Sequence, residues 1–536
     1  MRSFALSALL AAILLSSSTP ASAGFHPSFD RNLPQDTTQC YDLSVYDMTV
    51  PNPDDYFAEP IGHWPAWWRE IDTYLRSLAD KSDRVLLEPH GATHEGRELY
   101  HLIISTPENL ARLEEFRTAM AKVADPEQTP IAEMERLVAD MPAFCYLAYS
   151  IHGDEVSGSD AAARLAWHLA AANDQATQHL LENLIILIEP SENPDGRERY
   201  LSMLQTYRSH VPNYDSRAMQ HGGVWPYGRG NHYWFDVNRD WILLTQPETI
   251  GRVKSIVKYN PVLVVDGHEM GSNSNFLFSP PREPINYNTP SNVLKWYQVF
   301  GKEQGAAFDQ RGWPYYTGEW NEQWYIGYGS AWPTFLGAVG ILYEQAGVDG
   351  SFVRQRDDYL LTYHEAMNHQ FTSSLANLTT AANNRRELLR DYYLTRKGIV
   401  DQGRSSGLTF VFAPDEDEIK MARFINSLTN QGIKVTRATQ SFTVATVTDG
   451  WRQAQSNKSF PAGTYLVSTA QPQGALAKAI LEFDLHLKKE FLEEERRELE
   501  KNGETRMYET SAWSFRSCTI STPISRPIAC RSPRSR

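Results

Sequence analysis

Cysteine, basic charge and long apolar runs are all scarce in this chain, and each shortage narrows what it can be. Only 4 of 536 residues are cysteine. Cys40 and Cys145 are open to pairing in an oxidising compartment, but Cys145 also lies in an apolar run where a lone thiol is commonly buried. Cys518 and Cys530 belong to an atypical tail. Lys and Arg number 51 against 65 Asp and Glu, a formal charge of -14, which argues against nucleic acid and anionic lipid as partners because both need a basic surface. No run is apolar for long enough to span a membrane, and no internal repeat is evident.

What is present at the start reads as an export signal: Arg2, an apolar run from Phe4 to Leu15, and the small residues Ala21-Ser22-Ala23. Residues 1–23 are therefore expected to be a cleaved leader, placing the mature protein in the periplasm or the medium. The length leaves room for one large domain and at least part of a second. After a Pro- and Asp-rich entry at Pro51 to Tyr56, a helical stretch from Trp64 to Ala79 leads to the turn Gly91-Ala92-Thr93-His94-Glu95-Gly96-Arg97 and a strand at Leu99 to Ile104. Short apolar runs at Phe144 to Tyr149, Leu184 to Ile188, Val262 to Val265 and Val339 to Tyr343 alternate with helical segments. That alternation predicts an α/β fold, a mixed sheet flanked by helices.

Chemistry-bearing residues sit at the ends of those runs. A His three residues ahead of a Glu is expected about once by chance in such a chain, so spacing alone decides nothing. His179 and Glu182 have it, yet they end the helical run Ala161 to Leu181 and read as ordinary surface residues. His152 and Glu155 instead follow a buried strand and precede Ser157, Gly158 and Ser159, which open a helix. Strand ends are where open α/β sheets present their chemistry. His268 follows Val264-Val265-Asp266-Gly267 in the same way, and can complete a zinc site with three protein ligands and a fourth position open. Asp236 is a candidate to orient His152 from behind. Glu344, just past Val339 to Tyr343, is placed to act as a general base.

In order, His152 and Glu155, Asn193-Pro194-Asp195-Gly196, Arg208, Asn238-Arg239, His268 and Glu344 resemble the zinc carboxypeptidases of peptidase family M14, over roughly Tyr56 to Thr380. The resemblance implies one zinc held by His152, Glu155 and His268, with Glu344 as the catalytic base. It implies that Arg208, fifteen residues after Asn193, polarises the scissile carbonyl. Asn238 and Arg239 would clamp the substrate's terminal carboxylate, for which a planar guanidinium is suited. Tyr325 best matches the substrate-capping tyrosine, with Tyr328 open because the distance to Glu344 is shorter than in the digestive enzymes. The stretch Asp266 to Gly271 is closer to bacterial secreted members.

Beyond about Lys397 the character changes. Thr409 to Phe412 reads as a strand and Asp417 to Asn430 as a helix presenting Ile419, Ala422, Ile425 and Leu428. Ile433 to Val435 reads as a further strand; Thr464 to Val467 and Leu476 to Leu481 continue the pattern, and Lys488 to Lys501 is a charged helix. The expected organisation is a leader at 1–23, an extension at 24–55, a catalytic domain at 56–390, a smaller accessory α/β unit at 400–515, complete or truncated, and a basic tail at 516–536. That tail is either disordered or the product of a frame slip. One nucleotide string can encode Arg516-Ser-Cys-Thr-Ile-Ser-Thr-Pro-Ile524 and, in another frame, Ser-Leu-Leu-Tyr-Asp-Leu-Asp-Ala-Tyr.

The expectation is a secreted, zinc-dependent carboxypeptidase acting on peptides or proteins with a free C-terminus. Two rivals stay open: a peptidoglycan stem-peptide hydrolase or deacylase of the same fold, and a non-catalytic zinc-binding protein.

Overall fold

The chain's continuous apolar runs become strands buried on both faces, which is what a parallel sheet covered by helices requires. The computed structural model describes residues 43–209, 213–450, 452–484, 486–505, 507 and 528–531. The expected leader, Cys40 and all of the basic tail except 528–531 lie outside them. Helix α1 (Trp68–Lys81) leads into the hairpin β1 (Val85–Ala92) and β2 (Glu98–Ile104). Then come α2 (Leu113–Val123), α3 (Ile131–Asp140), β3 (Ala143–Tyr149), α4 (Ser157–Ala171), α5 (Gln175–Asn183), β4 (Leu184–Glu189) and α6 (Pro194–Tyr207). The first unit closes with α7 (Pro247–Tyr259), β5 (Leu263–Met270), β6 (Phe276–Phe278), α8 (Ser291–Asp309), β7 (Val339–Ala346), α9 (Tyr363–Asn383) and α10 (Arg385–Ser406).

The principal sheet has seven strands in the order β1-β2-β4-β3-β5-β7-β6. Its centre, β4-β3-β5-β7, is parallel, and β1, β2 and β6 join antiparallel. Strand alternation sends β3 side chains to both helical layers. Phe144 packs on Tyr259 of α7, with ring centroids 5.8 Å apart, whereas the Tyr149 hydroxyl lies 2.6 Å from Ser374 Oγ of α9. Arg252 of α7 is fully buried and lies 3.1 Å from Glu189 and 2.6 Å from Glu192, the pairing that a buried charge needs.

Several expectations are corrected. Strands β5 and β7 run to Met270 and Ala346, so His268 and Glu344 lie within strands rather than past them. The first helix starts at Trp68 because the Glu70 carboxylate accepts the Trp67 N–H at 3.0 Å and fixes the first turn there. The run Ala161 to Leu181 is two helices, broken where Asp174 caps α5 by accepting the N–H groups of Ala176 and Thr177 at 2.9 and 3.0 Å. Cys145 is a free, buried thiol.

After α10 the chain builds a second sheet. Its elements are β8 (Leu408–Phe412), α11 (Glu418–Asn430), β9 (Thr436–Arg437), β10 (Phe442–Thr448), β11 (Ala454–Phe460), β12 (Tyr465–Ser468), α12 (Gly474–Leu481), α13 (Lys489–Asn502) and β13 (Ile528–Arg531). The six strands run β9-β12-β8-β13-β10-β11, paired antiparallel. Helix α11 buries Leu428 and half-buries Ile425 as expected, but Met421 and Phe424 rather than Ile419 and Ala422 complete the face: Phe424 packs on Phe412 with centroids 4.9 Å apart, and Ile419 is 70% exposed. The strand expected at Ile433 to Val435 begins at Thr436, because Ile433 plugs the core and Gln471 takes the Lys434 N–H at 2.6 Å. No helix among the described residues is long and apolar enough to cross a membrane.

Candidate active site

The turn after β3 makes the site possible. A Cβ on Gly153 would stand 2.2 Å from the backbone of Gly196 and Arg197, so only glycine lets this turn meet the first turn of α6. Asn193 caps that helix by accepting the Gly196 N–H at 3.0 Å and donates to the Arg229 carbonyl at 3.1 Å. Three segments distant in sequence are thereby held together: the β3 turn, the start of α6 and the loop carrying Arg229.

His152, Glu155 and His268 converge there. One donor atom from each lies within 4.8 Å of the others. His152 Nδ1 is 2.5 Å from Glu155 Oε1, and His268 Nδ1 is 2.8 Å from Glu155 Oε2. The Glu269 N–H donates to Glu155 Oε2 at 3.0 Å and fixes the carboxylate. Each ring turns its other nitrogen to an acid: His152 Nε2 is 3.2 Å from Asp236 Oδ1, and His268 Nε2 is 2.8 Å from Asp266 Oδ1. Ligand histidines are commonly held this way.

The electrostatics favour a cation. Burial disfavours charged rings at His152 and His268, but Glu155 with Asp236, and Asp266 with Glu155, outweigh it and hold both rings above the ordinary histidine range. Burial would raise Glu155, yet the two rings outweigh it and hold that carboxyl well below the usual range. Carboxylates crowd the two imidazoles, and two nitrogens and a carboxylate oxygen are an appropriate donor set for zinc. The residues therefore fit the metal.

Glu344 lies opposite His268 in the β5–β7 pairing. Burial, and after it the carboxylates of Glu155 and Asp266, push Glu344 well above the usual range, with His268 opposing. Glu344, Arg229, Arg239 and Tyr328 join the three donor residues around a pocket of about 220 Å³. A larger cavity of about 630 Å³, between Tyr287–Asn292, α10 and α12, has no acidic or histidine residue in its wall and no comparable chemistry.

The remaining expected residues divide. Asp236 faces His152 and also accepts from Arg229 Nη2 at 2.9 Å. Arg239 lines the pocket, its guanidinium 4.9 Å from the Tyr328 ring. Asn238 also lines it but is engaged at both ends: its Nδ2 is 3.2 Å from His268 Nε2, and its Oδ1 accepts the Gly329 N–H at 2.9 Å. Tyr325 is buried with its hydroxyl 3.4 Å from the Arg239 carbonyl and is not in the pocket wall, where Tyr328 stands instead.

Arg208 is not brought to the pocket. It follows the 14-residue helix α6, whose start is at the site, and a helix of that length carries its far end about 20 Å away. There Arg208 Nη1 donates to Glu59 at 3.2 Å and the guanidinium stacks on Trp64 at 3.9 Å. The guanidinium at the site is that of Arg229, which sequence reasoning missed, 3.2 Å from His152 Nδ1 and 4.0 Å from Glu155 Oε1. The available signal was an arginine between Gly228 and Gly230 in the loop leading to Asp236 and Asn238.

An α/β protein with a His-Glu-His donor set at adjoining strand ends, a buried carboxyl and two guanidiniums has the components of a metal-dependent hydrolase. Residues 71–278 match the family model described as zinc carboxypeptidase; the matched segment includes His152, Glu155, Arg229, Asn238, Arg239 and His268 and ends before Glu344. Among solved structures, the chain is similar to a metallo-carboxypeptidase from Burkholderia cenocepacia, with 15% identity, 62% of this chain and 70% of that chain covered, and a TM-score of 0.40. It is also similar to a Pseudomonas aeruginosa metallo-carboxypeptidase in complex with (2-guanidinoethylmercapto)succinic acid, with 16% identity, 62% and 71% covered, and a TM-score of 0.39. Carboxypeptidase A from Helicoverpa armigera gives 17% identity, 62% and 75% covered, and a TM-score of 0.39. No curated protein matches the sequence.

Proposed function

We propose that the chain is a zinc-dependent metallocarboxypeptidase, holding one zinc at His152, Glu155 and His268 and removing the last residue of peptides or proteins with a free C-terminus. The observation that carries this reading is the pairing of His268 with Glu344 across β5 and β7, which sets a buried carboxyl beside the donor triad in a pocket that also holds two guanidiniums. A zinc ion, when bound, supplies a Lewis acid that polarises a carbonyl and acidifies water. Glu344, pushed up by burial and by the Glu155 and Asp266 carboxylates, would come down toward what a base requires once those carboxylates were offset by a bound cation. Glu344 then takes the proton of the attacking water and hands it to the leaving amine.

Arg229, rather than Arg208, donates to the carbonyl oxygen as negative charge develops. Arg239 pairs with the terminal carboxylate, while Asn238 accepts the Gly329 N–H and fixes that backbone at the pocket. Tyr328, rather than Tyr325, covers the substrate. Asp236 positions both His152 and Arg229. The division into a catalytic unit at 56–390 and an accessory unit at 400–515, and an address outside the cytoplasm, belong to the same proposal.

The test incubates zinc-loaded mature protein with peptides prepared both as free acids and as C-terminal amides, followed by mass spectrometry. Chelator-sensitive loss of single residues from the acids alone is the expected result. Cleavage of acids and amides alike would reject the carboxylate clamp; release only from peptidoglycan stem peptides or acylated substrates, or no turnover at all, would favour the rival readings.

A further inference from the structure

The loop at 225–235 exposes aromatic rings seldom found together on a surface. Trp225, Tyr233, Trp234 and Phe235 are 66%, 61%, 57% and 54% exposed, and the Trp225 and Trp234 rings stand 4.9 Å apart. The loop is firmly built. Arg199 donates to the carbonyls of Tyr227, Gly230 and Asn231 at 2.7, 2.6 and 3.1 Å, and Asn231 Oδ1 accepts the N–H groups of Tyr233 and Phe235, each at 3.1 Å. Tyr227 and Trp234 are held in left-handed backbone conformations, with φ of 57° and 65°, which bulky residues adopt only when their surroundings compel it. A braced, strained loop that turns aromatics toward water contributes little to folding. It is suited to recognition.

Its position indicates what is recognised. Arg229, within the loop, is joined to Asp236 just past its end at 2.9 Å, and the same two residues touch His152. Trp320, 42% exposed, adds an aromatic ring to the wall of the pocket itself. A polypeptide bound with its scissile carbonyl at Arg229 lies against the loop that carries Arg229. We infer that the 225–235 loop is a substrate subsite that grips aromatic or apolar side chains several residues upstream of the cleaved bond. This inference rests on the carboxypeptidase reading.

The test measures binding rather than turnover, using the zinc-loaded full chain carrying Glu344→Gln so that peptides stay intact. N-acetylated octapeptides share their last two residues and carry either Trp or Ser at the three preceding positions; calorimetry gives their affinities. The Trp peptide is expected to bind at least about tenfold tighter. Adding Tyr233→Ser with Trp234→Asn, the latter chosen because Asn tolerates the left-handed backbone, should bring the two affinities within about twofold, while Tyr233→Phe preserves the preference. Equal affinities in the Glu344→Gln chain overturn the inference without recourse to any loop variant. So does a preference that survives the double substitution, or tighter binding of a glycan-bearing peptidoglycan fragment than of the Trp peptide. Turnover by the unsubstituted chain separates the two claims: no release from any peptide alongside a tenfold binding preference would reject the peptidase reading and retain the subsite, and release with equal affinities would do the reverse.

Discussion

Replacing Arg229 by alanine should damage turnover far more than replacing Arg208. The Arg229 guanidinium stands 3.2 Å from His152 Nδ1 and lines the pocket, whereas Arg208 stacks on Trp64 and pairs with Glu59 outside it. A donor aimed at a developing oxyanion is commonly worth about 3 to 4 kcal/mol. Because the Arg229 side chain is 41% exposed, the lower value applies, about 3 kcal/mol, or roughly a 150-fold loss of kcat. Arg208→Ala should leave kcat within about threefold, since a half-exposed ion pair contributes about 1 kcal/mol or less and only to stability. Arg229 also braces Asp236, so zinc affinity must be measured beside steady-state kinetics on a blocked dipeptide. If bracing were its main role, Arg229→Ala would weaken zinc binding by about 10- to 100-fold and metal excess would restore kcat. Arg229→Ala turning over within threefold of the parent at full zinc occupancy, or Arg208→Ala losing a hundredfold, would refute the assignment.

Glu344→Gln should lower kcat by about 10²- to 10⁴-fold while zinc content stays at one per chain, checked by single-turnover kinetics and metal analysis. Gly153→Ala should cost about 3 kcal/mol, visible as a lowered urea midpoint, because its Cβ would meet backbone at 2.2 Å and backbone cannot yield as a side chain can. His168, hydrogen-bonded to Tyr46 and Thr177, is pushed down by burial to about 4, with Asp174 partly opposing. Its folded pKa lies below the unfolded value near 6.5, so the unfolded chain takes up the proton first as pH falls; the contribution is complete above about pH 6.5, and about 2 kcal/mol is lost between pH 7 and pH 5. Urea midpoints at the two pH values should show that loss, and His168→Gln should abolish this share of the slope.

How far the sequence revealed this site depended on how local each signal was. His152, Glu155, His268 and Glu344 were readable because each adjoins an apolar run that has no other use than a buried strand, and parallel pairing brings such strand ends together. Arg208 misled because a count of residues from Asn193 ignores that a helix, once begun, moves away from its first turn. Arg229 went unseen in a loop held by Arg199 and Asn231, contacts with no periodic signature. In the second sheet the hairpin of β10 and β11 was missed because β11 is largely polar and both strands are exposed or half-exposed along most of their length, although Phe442 and Val444 alternate with the exposed Thr443 and Ala445 as a strand should; the α11 face was set one position off because Ile419 looked as apolar as Met421 and Phe424.

Zinc titration of the metal-free full chain, with release of the C-terminal residue followed at each addition, tests the central claim most directly. The account predicts activity that rises linearly and saturates at one zinc per chain, and that His268→Ala removes both the binding and the activity. Release indifferent to zinc, or a His268→Ala chain that still binds one zinc tightly and still turns over, would contradict it.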